Sequence, residues 1–268
     1  MRFQIGFTAQ EEQEQRVHAP AQQQQATVKH SVVDVFFPDR HLTYSYYNDM
    51  FDLKCGDLVY VDGKMEGLRG QVVKVSYTFK IRPSAYKRVI GVVDTQVRGR
   101  FRLVGSHVVT TDAKALSFER VITWFRPPIY DEEMVVGIGD ESFSLDDLSE
   151  MQVSEVIADR GYAYFAENRV AYLKLDHGQG RAIVLGSRPY EVEFHLENGR
   201  VRALLCDCYC CGPCKHAVAA MLQLKQTLKA LAENGYSIEQ TEYLAAVSKE
   251  AFFQNAIEGK DAGSITLE

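Results

Sequence analysis

The sequence predicts an α+β protein with a small antiparallel β-barrel toward its N-terminus and a β-meander followed by helices toward its C-terminus. Three observations carry this expectation. Between Val32 and Phe125, short alternating runs of β-branched and aromatic residues are broken at close intervals by glycine turns. Between Arg169 and Leu205, four further runs are separated by Asp176-His177-Gly178, Gly186 and Asn198-Gly199, and Asn-Gly between alternating apolar runs is a strong hairpin signal because both residues tolerate positive φ. Beyond a cluster of cysteines, Ala217, Met221, Leu224, Leu228 and Leu231 recur at spacings of four and three, one apolar face of a helix.

Taken in order, residues 1–30 turn Gln/Glu-rich and hold too few apolar side chains to offset the entropy of ordering, so a mobile arm is expected. Residues 31–126 supply the barrel through Val33-x-Val35-x-Phe37, Tyr44-x-Tyr46, Leu58 to Val61, Val72-Val73-x-Val75, Val89 to Val93 and Phe101-x-Leu103. Residues 127–150 open with Pro127-Pro128 and continue with eight carboxylates and two glycines, the composition of an acidic connector. Residues 151–268 hold the rest: a helix over Leu148 to Asp159 at the boundary, the meander, the helix that stops at Asn234-Gly235, and a closing helix over Ile238 to Ile257. Cys55, in an apolar strand context, is expected in the core.

The chain has 268 residues, 46% of them hydrophobic and 25% charged, which excludes fibrous and wholly disordered classes. No run approaches the ~18 apolar residues of a membrane span, and the N-terminus lacks the basic-then-apolar pattern of a signal peptide. A soluble, cytoplasmic protein without membrane partners is expected. The net charge of −6 hides an asymmetry: residues 1–68 carry −4, residues 69–126 carry +9 and residues 127–268 carry −11. Screening over a Debye length of about 8–10 Å lets the basic block act on its own.

Five of the six cysteines, Cys206, Cys208, Cys210, Cys211 and Cys214, fall within nine consecutive residues. Neighbours this crowded would form disulfides only with strain, so the crowding points to metal. In an extended segment residues i and i+2 point the same way, so Cys206 and Cys208 present both sulfurs on one side. Gly212-Pro213 then turns the chain, and Cys214 and His216 arrive at the start of a helix. Two such pairs complete the tetrahedral N/S set that zinc takes. Four protein ligands leave no open position for water activation, which makes the expected zinc structural. Cys210 and Cys211 stand inside the spacer as rival ligands.

The pattern Cys206-x-Cys208, spacer, Cys214-x-His216 resembles the SWIM-type zinc finger. The similarity extends upstream through Arg160-Gly161, Tyr164, Arg169-Val170, Gly186-Ser187 and Tyr190-x-Val192, and downstream through Ala217 to Ala220, covering about residues 155–225. The resemblance implies a β-hairpin-plus-helix module that binds one zinc ion and recognises DNA or protein. The spacer here is short for that family.

Gly56-Asp57-x-Val59-x-Val61-x-Gly63, with Gly67 and Gly70-x-Val72, is similar to the KOW strand-turn-strand of SH3-like barrels, a class that often binds nucleic acid or protein. Arg69, Lys74, Lys80, Arg82, Lys87, Arg88, Arg98, Arg100 and Arg102 lie in this region with Tyr77, Phe79 and Tyr86 among them. Cations that track phosphates and aromatics that stack bases are what single-strand binding requires. Phosphate loops, nucleophile elbows, His-Glu-x-x-His and a full Gly-x-Gly-x-x-Gly are all missing from the sequence. The expected function is therefore a non-enzymatic, zinc-binding adaptor for nucleic acid through residues 69–126, for protein through the zinc module, or for both. Two alternatives are an accessory subunit that docks on a helicase or nuclease, and a thiol redox or metal-handling protein that uses Cys210 and Cys211.

Overall fold

The computed structural model describes residues 30–127, 136–137, 142–210, 212–235, 242–258 and 265–267. The Gln-rich arm apart from its last residue, most of the acidic connector and Cys211 lie outside the described residues. Among the described residues no helix is long and apolar enough to cross a membrane.

Strands β1 (Ser31–Phe37), β2 (Leu42–Asn48), β3 (Leu58–Val61), β4 (Arg69–Ser76) and β5 (Val89–Val92) form one sheet in the order β2-β1-β4-β3-β5. Alternation puts Val33, Val35 and Phe37 on one face, where they meet Tyr46, Val59, Val61, Val72 and Val89 in a shared core. Gly70 has to be glycine, because a Cβ there would sit 2.4 Å from Val35 Cγ1 and 2.8 Å from Phe37 Cε1. Cys55 is exposed rather than buried, and its thiol donates to the Val73 carbonyl at 3.4 Å.

The expected closed, SH3-like barrel is not formed. Edge strands β2 and β5 meet at a single bridge, Tyr47 to Arg88, with one backbone bond of 2.8 Å from Tyr47 N–H to the Lys87 carbonyl. Closure needs a continuous ladder, and β5 is only four residues long, on a strand pair whose register shifts at Tyr60/Val61. The strand expected at Phe101-x-Leu103 is unavailable to it, because that strand belongs to the other sheet.

The second sheet uses β6 (Gly99–Val104), β7 (His107–Thr110), β8 (Val136–Gly137), β9 (Phe143–Ser144), β10 (Val170–Asp176), β11 (Gln179–Leu185), β12 (Pro189–Glu197), β13 (Arg200–Cys206), β14 (Tyr243–Ser248) and β15 (Ile265–Leu267). Its order is β15-β6-β7-β14-β10-β11-β12-β13-β8, with β9 also on β13. All its ladders are antiparallel except β15 on β6. The β10–β13 meander turns at His177-Gly178 (φ 48°, 82°) and Asn198-Gly199 (φ 51°, 75°), both with the paired positive φ that tight hairpins need.

Helices α1 (Phe118–Ile122), α2 (Glu155–Ala166), α3 (Lys215–Glu233) and α4 (Lys249–Glu258) cover this sheet on both faces. The α3 residues Ala220, Met221 and Leu224 pack with Leu173, Ala182 and Val184. On the opposite face, Val121 of α1 and Phe252 of α4 pack with Tyr172, Ile183 and Val247. A sheet covered on both sides needs apolar residues at consecutive positions, and Val170, Ala171, Tyr172 and Leu173 are all fully buried.

Two expected helices differ. The helix expected over Leu148 to Asp159 is split: a 3-10 turn, Leu148–Met151, ends at Gln152 (φ 50°), and α2 begins only at Glu155. The helix expected over Ile238 to Ile257 begins in fact at Lys249, and Tyr243–Ser248 before it is the sheet strand between β7 and β10. Ala245 and Ala246 read as helix formers, yet their small side chains suit a strand sandwiched between two helical layers.

His107, at 0% exposure, joins these layers: Nε2–H donates to the Val170 carbonyl at 2.7 Å, and Ser106 Oγ lies 3.0 Å from Nδ1. Burial holds its imidazole below the ordinary 6.5. The unfolded chain therefore takes up a proton below about pH 6.5 that the folded chain refuses, and stability falls from there toward the lowered folded value. Urea midpoints measured from pH 7.5 to 5.5 are expected to fall with a steeper slope for the wild type than for His107→Gln.

Candidate metal centre

On β13, Val201 faces the core while Arg200 and Arg202 face out. Continued alternation would turn residues 203 and 205 inward and leave both Cys206 and Cys208 outside. Instead Ala203 takes φ 50°, and the β12–β13 ladder shifts register between Glu193 and His195. This bulge moves the inward frame to Leu204, Cys206 and Cys208, all buried in the α3 side of the core. A left-handed conformation costs an L-residue about 1–2 kcal/mol. Ala203→Gly is thus expected to hold or raise stability, and Ala203→Val, whose β-branch tolerates positive φ worst, to lower it, as read by chemical denaturation.

The second pair comes from the start of α3. Cys214 is the N-cap, with φ −117° and ψ 170°, and its sulfur accepts the Ala217 N–H at 3.4 Å. His216 follows in the first turn, 4% exposed. Its Nδ1 lies 3.9 Å from Cys206 Sγ and 3.7 Å from Cys214 Sγ. The donor atoms of Cys206, Cys208, Cys214 and His216 all lie within 4.8 Å of one another.

These spacings fit a metal. A tetrahedral zinc ion with Zn–S near 2.3 Å and Zn–N near 2.1 Å has donor-to-donor edges of about 3.6–3.8 Å. The ionisation pattern points the same way. Hydrogen bonding from Cys206, and then from His216 and the Ala217 N–H, pulls the Cys214 thiol down to about 4. Burial pushes Cys208 up to about 11, and proton sharing with Cys214 followed by burial pushes Cys206 far up. Three sulfurs this close cannot all ionise on their own, and a divalent cation is the group that lets them.

Aromatic side chains enclose the imidazole. Tyr190 stacks on it with ring centroids 4.1 Å apart and planes at 17°, and Tyr164 meets it edge-on at 5.5 Å. The second ring nitrogen, Nε2, is buried without a hydrogen-bond partner. Nδ1 is the ring nitrogen that faces the Cys206 and Cys214 sulfurs. Gly186 leaves room for this stack, since a Cβ there would lie 2.8 Å from Tyr190 Cε2 and 3.4 Å from His216 Nε2.

Helix α2 seals the site from above α3. Gly161 packs on Val218, where a Cβ would come within 2.4 Å of Cγ1. Gly161→Ala is expected to lower stability by about 1–3 kcal/mol, the range for overpacking, and thermal unfolding of the metal-loaded protein is the check.

Asp207, Arg126, Arg188 and Glu191 are site residues that sequence reasoning missed. Asp207, between Cys206 and Cys208, has a carboxylate only 6% exposed that is paired with Arg126 at 3.3 Å and Arg188 at 3.1 Å. Arg126 also pairs with Glu191 at 2.8 Å. Of the two cations nearest the cysteines in sequence, Lys215 lies over the Tyr164 ring at 4.6 Å, while Arg202 is turned to Glu197 at 2.9 Å. Cys210 is exposed.

The nine basic residues divide between the sheets. Lys74, Lys80, Arg82 and Lys87 are exposed on β4 and the β4–β5 connection, beside Tyr77 (60% exposed) and Phe79 (37%). Arg88 in this stretch pairs with Asp49 at 2.7 Å and lies over the Tyr47 ring. Arg69 donates to Asn255 Oδ1 of α4 at 2.7 Å. Arg98, Arg100 and Arg102 are exposed on and beside β6 of the other sheet.

Comparison of the chain with protein-family models, curated proteins and solved structures finds no match.

Proposed function

We propose that this protein is a non-enzymatic interaction module organised by one structural zinc ion on Cys206, Cys208, Cys214 and His216, with the SWIM-type resemblance of its ligand pattern. The observation that carries the reading is the convergence of three buried sulfurs and one imidazole nitrogen within 4.8 Å. The ion would join the end of β13 to the start of α3, two segments that no continuous strand or helix connects. Four protein donors fill a tetrahedron, so the ion would hold structure rather than activate water.

The reading extends to nucleic acid through residues 74–88. Tyr77 and Phe79 are exposed where base stacking needs them, and Lys80, Arg82 and Lys87 surround them. A protein partner docking on the zinc module, as in a helicase or nuclease accessory subunit, is the second reading, and the exposed Tyr162 and Val156 of α2 favour it. Elemental analysis of protein purified without chelator is expected to give one zinc per chain, and a value near zero rejects the metal. Anisotropy of a labelled single-stranded oligonucleotide is expected to show binding at about 50 mM salt that weakens steeply by about 200 mM. Binding should be lost when Lys80, Arg82 and Lys87 are reversed to Glu. Absence of binding at the lower salt leaves the protein-docking reading.

A further inference from the structure

We propose that Arg188 is a positioning residue that sets both halves of the metal site at once, a role that rests on reading the Cys3His group as a metal centre. On one side its guanidinium holds the Cys-x-Cys strand. Nη1–H donates to Asp207 Oδ2 at 3.1 Å and Nη2–H to the Asp207 backbone carbonyl at 2.6 Å. Asp207 is held in turn by the Glu191 N–H on Oδ1 at 2.9 Å, by Arg126 Nη1–H on Oδ2 at 3.3 Å, and through its own N–H to the Glu191 carbonyl at 3.1 Å. With its backbone and carboxylate both fixed, the residue between the two cysteines cannot rotate without breaking ion pairs whose carboxylate is buried.

On the other side the same guanidinium lies over the Tyr190 ring, 4.8 Å from its centroid. Tyr190 stacks on His216, and its hydroxyl is tied to Ser187 Oγ at 2.9 Å. Arg188 therefore connects Asp207, and so Cys206 and Cys208, to the ring that presents the fourth donor. Outer-shell groups that orient metal ligands characteristically contribute about 10–100-fold in affinity, and a planar fork that also stacks cannot be replaced by an ammonium.

The test uses the full chain, with Zn²⁺ affinity measured by competition with a chromogenic chelator and Co²⁺ as a spectroscopic probe. Arg188→Ala is expected to weaken Zn²⁺ by about 10–100-fold and to change the Co²⁺ ligand-field bands. Arg188→Lys should fall between it and the wild type, and Tyr190→Leu should change the same bands. Arg202→Ala, which removes an equal charge from β13 outside this chain of contacts, should bind both metals as the wild type does. Wild-type affinity and an unaltered Co²⁺ spectrum in Arg188→Ala or Arg188→Lys overturn the proposal while the metal centre stands. Arg202→Ala weakening Zn²⁺ as much as Arg188→Ala also overturns it, because the effect is then one of charge rather than position. A wild-type chain that binds neither metal overturns the metal reading itself.

Discussion

Cys214→Ser is expected to reduce bound zinc from one per chain to near zero and to remove the largest single contribution to the stability of the β13–α3 junction. Cys214 is both a ligand of the proposed metal centre and the helix N-cap, so on that reading the substitution would remove a metal bond where the chain changes from extended to helical. Zinc binding in finger peptides is worth an apparent ~10–16 kcal/mol at pH 7, on the scale of a whole domain's ~5–15 kcal/mol. Even partial loss should therefore register as a drop of several kcal/mol on that scale. The expected result is a lower urea midpoint that chelator does not lower further, whereas chelator should bring the wild type down to the level of the variant. Cys55→Ser, at an exposed turn between β2 and β3, should change stability by no more than about 0.5 kcal/mol. Equal midpoints for wild type and Cys214→Ser in the presence of zinc would remove the metal from the account of stability.

Tyr172→Ala is the second large effect, expected at about 3–5 kcal/mol. Tyr172 is fully buried in the middle of the second sheet, and its hydroxyl donates to the Leu116 carbonyl at 2.7 Å. Tyr243 of the neighbouring strand donates to the same carbonyl at 2.8 Å. Burial raises the Tyr172 phenol well above its ordinary 10, so it remains a donor at neutral pH. Truncation would open a cavity against Phe118 and release the segment leading into α1. Tyr172→Phe, which keeps the ring, should cost only about 1 kcal/mol. Urea unfolding of both variants with zinc bound separates lost packing from lost hydrogen bonding. Loss below 1 kcal/mol for Tyr172→Ala would mean that this layer is not part of the cooperative core.

The two effects lie on opposite faces of one sheet, and this explains how much of the molecule was legible beforehand. The strands from Val170 to Cys206 lie close to the expected ones because their signals are local: alternation inside each strand, and positive-φ pairs at His177-Gly178 and Asn198-Gly199. The α3 stripe and its stop at Gly235, φ 81°, are local too. The Cys3His group was readable for the same reason, since Cys206 with Cys208 and Cys214 with His216 are each two residues apart.

What escaped was decided by distant partners. Phe101 looked like a barrel residue, yet it packs against Phe252, which follows it by most of the chain. Tyr243–Ser248 carried helical propensity until β7 and β10 received it as a strand. Ala203 gave no sign of φ 50°, because alanine does not ask for it; the bulge lets Val201 before it and Leu204, Cys206 and Cys208 after it, which stand in opposite alternation frames, all turn into one core. Asp207 was one more acidic residue until Arg188 and Arg126 met it.

By itself, then, the sequence determined the spacing of the Cys3His group, the hairpins and the helix at whose start Cys214 and His216 stand, all properties of neighbouring residues and their allowed dihedrals. Only the tertiary structure decided which sheet each strand joins, which face of β13 turns inward, and which charged groups hold Asp207 beside the sulfurs. Those outcomes depend on side-chain volume and charge brought together from far apart along the chain, and no local pattern encodes such meetings.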